Sequence, residues 1–111
     1  DGMSATLADL VAIDGQVRGI RLYDQAPDDA AMPYMTHEMK LTKTIYAGDA
    51  VLFRAWRRDL VLWCSETDAG LVAEVAGWLE SHGLMGEAYH YQDDQSKCQY
   101  VVFETTVAES R

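Results

Sequence analysis

The residues whose types could support chemistry are three histidines, two cysteines, Ser65 and two Asp-Asp pairs. Their spacing argues against most of it. Cys64 and Cys98 lie in separate strand-like runs with no C-x-x-C pair, so no structural zinc site is expected. They read as two reduced, buried thiols of a cytoplasmic protein, the alternative being a disulfide between neighbouring strands. His37 opens a strand and has no evident partner. His82 falls on the apolar stripe of a helix, at the C-terminal end, where an imidazole interacts favourably with the last carbonyls. His90 sits mid-strand beside Gln99 and reads as half of a surface polar pair. No H-x-H or H-x-x-x-H spacing occurs, so neither a metal nor a cofactor is expected. Asp28-Asp29 and Asp93-Asp94 fall in turns, where Asp is favoured because it bonds nearby backbone. Ser65 suits a helix cap better than a nucleophile, having no G-x-S-x-G around it. The expectation is a protein without catalytic residues.

The elements that hold these residues can be read from hydrophobic period. The chain has 111 residues, enough for one domain that buries roughly two thirds of its unfolded surface without a staple. Asp1-Gly2, ahead of Met3, reads as an expression remnant. Residues 3–23 form an N-terminal arm. It reads as a short helix capped by Ser4 with a strand over 17–23, or else as a hairpin turning at Asp14-Gly15. Residues 24–35, with both prolines, form a loop. Residues 36–111 are the body. There, runs at 37–46, 51–56 and 60–64 alternate, with turns expected at Ala47-Gly48-Asp49 and at Arg57-Arg58-Asp59, which predicts a three-strand meander. Ser65 and Asp68 approximate a capping box. Leu71, Val72, Val75, Trp78 and Leu79 then form one helical stripe, and Gly83 ends it. Residues 87–92 and 97–107 form a second hairpin. The predicted fold class is α+β: an antiparallel sheet with one main helix on one face, in two layers.

The same alternation separates the faces of the sheet. Counting a turn at 57–59 puts Phe53, Leu60, Leu62 and Cys64 on the core side. It puts Leu52, Arg54, Trp56, Val61 and Trp63 together on the other. One helix covers one face, and an antiparallel sheet usually shows water a polar second face. Trp, Tyr and Arg are the residue types enriched at binding hot spots. The set Leu52, Arg54, Trp56, Val61 and Trp63 is therefore the candidate interaction surface, unless the N-terminal arm packs over it.

Charge bounds the partner. The net charge is −9, and it is segregated. Residues 1–35 and 59–111 are acidic, whereas 36–58 carry five bases against two acids. Such a balance repels phosphate backbones at long range. No apolar run approaches the ~20 residues of a membrane span, and no secretory leader is visible. The leading expectation is a small acidic cytoplasmic protein without catalysis, acting as an inhibitor or accessory protein. It would present its aromatic/Arg face to a second copy, as a homodimer, or to another protein. Its size and charge also suit the small inhibitors of phages and mobile elements. One alternative is a nucleic-acid role, through single-strand binding on the Arg/Trp face or through acidic DNA mimicry. Another is a small-ligand binder or enzyme using Tyr89, Tyr91, Tyr100 and His82 under the helix.

Overall fold

A computed structural model describes residues 5–65, 68–93 and 98–108, with backbone alone at 41–43, 45, 52–55, 85, 86, 93 and 108. The elements run α1 (Leu7–Val11), β1 (Leu22–Tyr23), β2 (Tyr34–Ala47), β3 (Ala50–Cys64), α2 (Ala69–Ser81), β4 (Met85–Asp93) and β5 (Cys98–Ala108). The strands form one five-stranded sheet in the order β1-β2-β3-β5-β4. The β1–β2 pair is parallel and the others are antiparallel. The molecule is α+β, with one main helix laid on one face of the sheet.

The three-strand meander is corrected to two long strands. No turn interrupts β3 at Arg57-Arg58-Asp59, because all three residues have partners on both sides. They face Leu41, Met39 and Glu38 on β2 and Thr106, Thr105 and Glu104 on β5. A run of three charged residues resembles a turn only while its partners are unknown. Arg57 pairs with Asp59 at 3.2 Å and with Glu104 at 2.7 Å. Thr105 donates its hydroxyl to the Arg58 carbonyl at 2.6 Å, which leaves no backbone cost at that point. The register from Ala55 to Cys64 against β5 is unbroken, so side-chain direction alternates through the whole stretch. Trp56 therefore shares a face with Leu60 and Leu62, opposite to Trp63.

The closed face is built from three parts of the chain. Leu60, Leu62, Val101, Phe103 and Val107 supply the sheet side. Leu71, Val75 and Leu79 of α2 supply the lid and are 3%, 0% and 0% exposed. The arm adds Leu10, Ile13, Val17 and Ile20 to the same cluster. The arm therefore packs on the core face beside α2. Thr6, not Ser4, heads α1: its hydroxyl accepts the Asp9 N–H, and the Asp9 carboxylate accepts the Thr6 N–H at 2.8 Å. Ser4 lies outside the described residues. The strand expected over 17–23 shrinks to Leu22–Tyr23, because Gly15 (φ +76°) begins a turn closed by its N–H on the Ile20 carbonyl. Arg18 ties this turn to α2 through Asp68, at 3.0 Å, and Glu74.

Asp68 caps α2 in place of Ser65, accepting the Leu71 N–H at 3.0 Å. That bond, with Arg18 behind it, holds the Asp68 carboxyl below its usual range. The helix ends as its sequence implies. Gly83 takes φ +69°, and Leu84 folds back, its N–H on the Leu79 carbonyl and its side chain buried. His82 stacks on Trp78, with ring centroids 3.8 Å apart and Nδ1 2.8 Å from the Trp78 carbonyl oxygen.

Candidate functional site

The second face of the sheet carries no helix and no strand among the described residues. Its side chains fall into rows that cross the strands, since directly opposite residues share a face. The first row is aromatic: Tyr34 on β2 opposes Trp63 on β3, Trp63 opposes Tyr100 on β5, and Tyr100 opposes Tyr91 on β4. Ring centroids along it are 6.3, 4.9 and 5.0 Å apart, and the interplanar angles are 20°, 29° and 16°. Tyr23 of β1 closes the row edge-on against Tyr34 at 6.1 Å. The Trp63–Tyr100 and Tyr100–Tyr91 spacings match the ~4.8 Å between strands. The stacking axis therefore runs across the sheet, and the rings turn their faces to one another rather than to solvent. Trp63 is fixed further by its indole N–H, which donates to Thr36 Oγ1 at 3.1 Å.

The next row is Thr36, Val61, Val102 and Tyr89, and beyond it Glu38, Asp59 and Glu104 stand in line. Lys40 and Arg57 border that carboxylate row. Lys40 meets Glu38 at 2.8 Å, and Arg57 spans Asp59 and Glu104. On β4, Tyr89 donates its hydroxyl to Glu87. That bond and the nearby Glu104 and Glu87 charges push the Tyr89 phenol up to about 12. The β3, β5 and β4 members of these rows, with Glu38 and Lys40 of β2, line a concavity of about 500 Å³. Tyr89 and Tyr91 are exposed at its β4 edge.

The structure separates the residues that the sequence grouped as one surface. Val61 and Trp63 lie on this open face. Trp56 is on the other side, opposite the buried Val107 and packed against the core. The side chains of Leu52 and Arg54 lie outside the described residues. Their backbone belongs to the ribbon that β2 and β3 form beyond the reach of β5, where Arg54 pairs with Thr44. The grouping fails because a turn at 57–59 would reset the alternation, and no turn occurs. Tyr89, Tyr91 and Tyr100 are not under the helix with His82. They are on the face that α2 does not touch. Tyr34 and Tyr100 were the residues missed as partners of Trp63. Alternation marks their direction, but only the strand order sets β5 beside β3.

A second polar cluster joins β2, β3 and the chain after β1. His37 is 7% exposed. Its Nδ1 accepts from Arg58 Nε at 3.3 Å, and its Nε2 lies 2.7 Å from Asp24 Oδ1. Arg58 can only donate, so Nδ1 keeps its lone pair and the neutral ring carries its proton on Nε2, toward Asp24. Burial is the larger cause holding the imidazole below its usual range. The Arg58 charge adds to it, and Asp24 opposes it. His90 is exposed and opposes Val101, with Gln92 taking the place opposite Gln99. Cys64 and Cys98 are buried thiols. Burial, with the Asp68 charge behind it, pushes the Cys64 thiol up, which suits packing rather than reactivity. Among the described residues, no three His, Cys, Asp or Glu side chains converge as metal ligands, and no helix is long and apolar enough to cross a membrane.

No family model matches this chain, and no curated protein matches it.

Proposed function

We propose that this chain is a small, non-enzymatic interaction protein, an inhibitor or accessory factor, that engages another protein through the open face of its sheet. The observation that carries this reading is the Tyr34–Trp63–Tyr100–Tyr91 row, on the face opposite α2 and the arm, with no helix or strand packed over it among the described residues. Aromatic rings bury 150–250 Å² each when covered. At ~25 cal/mol per Å², covering even about 100 Å² of this row would contribute roughly 2.5 kcal/mol to an association. The row is also pre-ordered, so a partner meets rings whose rotamers are already fixed, and association loses less side-chain entropy. The cytoplasm is the proposed compartment, on the cysteine usage of the sequence.

Ring orientation favours a protein over a nucleic acid. Single-strand binders stack bases on exposed ring faces. Here the ring faces are used between neighbouring side chains. The carboxylate row and the net charge of −9 also repel phosphates.

The test is a photo-crosslinking residue placed at Tyr89, on the open face, with Glu80 on α2 as the control position. In cells of the native host, the Tyr89 position should yield a discrete protein adduct that the Glu80 position does not. Adding Tyr91→Glu should abolish that adduct. Light scattering at several concentrations separates a second copy of the chain from a different protein. Equal adducts from both positions, or none from either, would overturn the reading.

A further inference from the structure

Resting on that reading, we infer that the open face takes a basic amphipathic helix of another protein, rather than a second copy of this chain. Three observations converge on this occupant.

The first is which elements this face can accept. β3 is paired on both edges, by β2 and β5, and β5 is paired on both edges by β3 and β4. No strand can add beside Trp63 or Tyr100, since the free sheet edge lies beyond Tyr91 on β4, so whatever docks over the middle of the row must satisfy its own backbone. A helix does so, and α2 already shows the packing on the other side of the same sheet.

The second is the layout of the rows. Trp63 and Asp59 are four residues apart on β3, about 13 Å at ~3.3 Å per residue. A helix is ~10–12 Å wide with its side chains. Seated on the Val61 and Val102 row, it reaches the rings on one flank and the carboxylates on the other. Its apolar stripe would face the first, and lysines or arginines beside that stripe the second.

The third is charge. Glu38, Asp59 and Glu104 line this concavity against Lys40 and Arg57, an excess of one carboxylate, and Glu87 stands beside it on the Tyr89 hydroxyl. The Tyr89 hydroxyl donates to Glu87, and that bond first, then the Glu104 and Glu87 charges, holds the phenol high. A second copy would bring the same excess on a chain of net charge −9, and the outer surface of α2 offers Glu74 and Glu80. Like charges set against one another suppress that pairing.

The test uses three synthetic 18-residue peptides and the indole N–H resonances of the ¹⁵N-labelled protein. One peptide has a leucine stripe with lysines elsewhere, one has the same stripe with glutamates, and one has the leucine/lysine composition shuffled to break the stripe. The striped lysine peptide should shift the Trp63 indole saturably and leave Trp78, on the far side, unmoved. The double substitution Glu38→Gln, Glu104→Gln should weaken that binding roughly three- to tenfold, the range for losing two exposed charge pairs. Equal binding of the glutamate or the shuffled peptide would overturn the inference, as would an unmoved Trp63. A concentration-dependent doubling of mass, lost on Tyr91→Glu, would hand the face to a second copy. That result would overturn this inference while leaving the protein-contact reading intact. A Trp63 shift with a single-stranded oligonucleotide would overturn both.

Discussion

Consecutive residues of β3 meet two different surroundings. Leu60 and Leu62 are 0% exposed, closed over by α2 and the arm. Val61 and Trp63 point the other way and line a concavity, Val61 buried there among its neighbours on the same face and Trp63 half-buried. The closed face is held by transfer of aliphatic side chains out of water, which depends on area and tolerates many arrangements. The open face is ordered laterally. Its rings stack on one another, its indole bonds Thr36, and Arg57 spans Asp59 and Glu104. Removing a residue from the closed face leaves a cavity. Removing one from the open face leaves a gap that water can enter. The two faces should therefore respond differently to the same kind of substitution.

The largest effect should come from the closed face. Leu79→Ala and Leu62→Ala should each cost about 2–5 kcal/mol, the range for aliphatic deletions in a packed core, measured by urea denaturation. Val75→Ala should cost less, because it removes fewer buried atoms. A loss at Leu79 or Leu62 within the ~0.5 kcal/mol typical of surface changes would mean that α2 does not close that face.

The two tryptophans of β3 sharpen the contrast. Trp56→Glu puts a charge against the apolar cluster and should leave little folded protein. Trp63→Glu puts the same charge toward solvent and should leave a cooperative, folded protein whose far-ultraviolet spectrum is unchanged. Similar losses at both positions would show that the faces are not distinct in the way described.

A smaller effect should appear as a pH dependence seated on the core side. The His37 ring is held below its ordinary value in the fold. Above pH ~6.5, the ordinary histidine value, the ring is neutral in folded and unfolded chains alike, and it adds no slope. Below ~6.5 the unfolded chain binds a proton that the folded chain resists, so stability falls as pH falls. His37→Gln should flatten the fall that begins near 6.5. The separate loss below about 4 should remain. It belongs to Asp14 and Asp68, which the fold holds below the usual carboxylate range by backbone N–H bonds from Leu22 and Leu71, with Arg21 and Arg18 adding to them. A variant with the same slope between pH 6.5 and 5 as the parent protein would assign that titration to another group.

The smallest effect is expected where neither face exists. Beyond Ala55, β2 and β3 form a two-stranded ribbon, and Tyr46 at its tip is 62% exposed. Tyr46→Ser should change stability by no more than about 0.5 kcal/mol. A larger loss would show that the ribbon supports the body.

Several features were legible without the fold. The stripe of α2, its end at Gly83 and the alternation of the second hairpin depend on spacing along the chain, and local spacing is what a sequence records. The α+β class follows from them. The absent turn at Arg57-Arg58-Asp59 was not legible. Arg57 pairs with Glu104, Arg58 donates to His37 and the Arg58 carbonyl accepts from Thr105, all remote in sequence, and no local rule reports a remote partner. That one difference reversed the side on which Trp56 lies, since a pleat alternates with period two. The candidate surface was therefore half legible. The sequence by itself determined that the chain would build a sheet, cover one face with a helix and carry aromatics in excess of what that face could bury. Only the tertiary structure decided which aromatics remain outside. Strand order set Tyr34, Tyr100 and Tyr91 beside Trp63, and the arm's choice of the helix side left them uncovered. Both are settled by contacts between distant segments, whose closure entropy and buried area are properties of the whole chain rather than of any window within it.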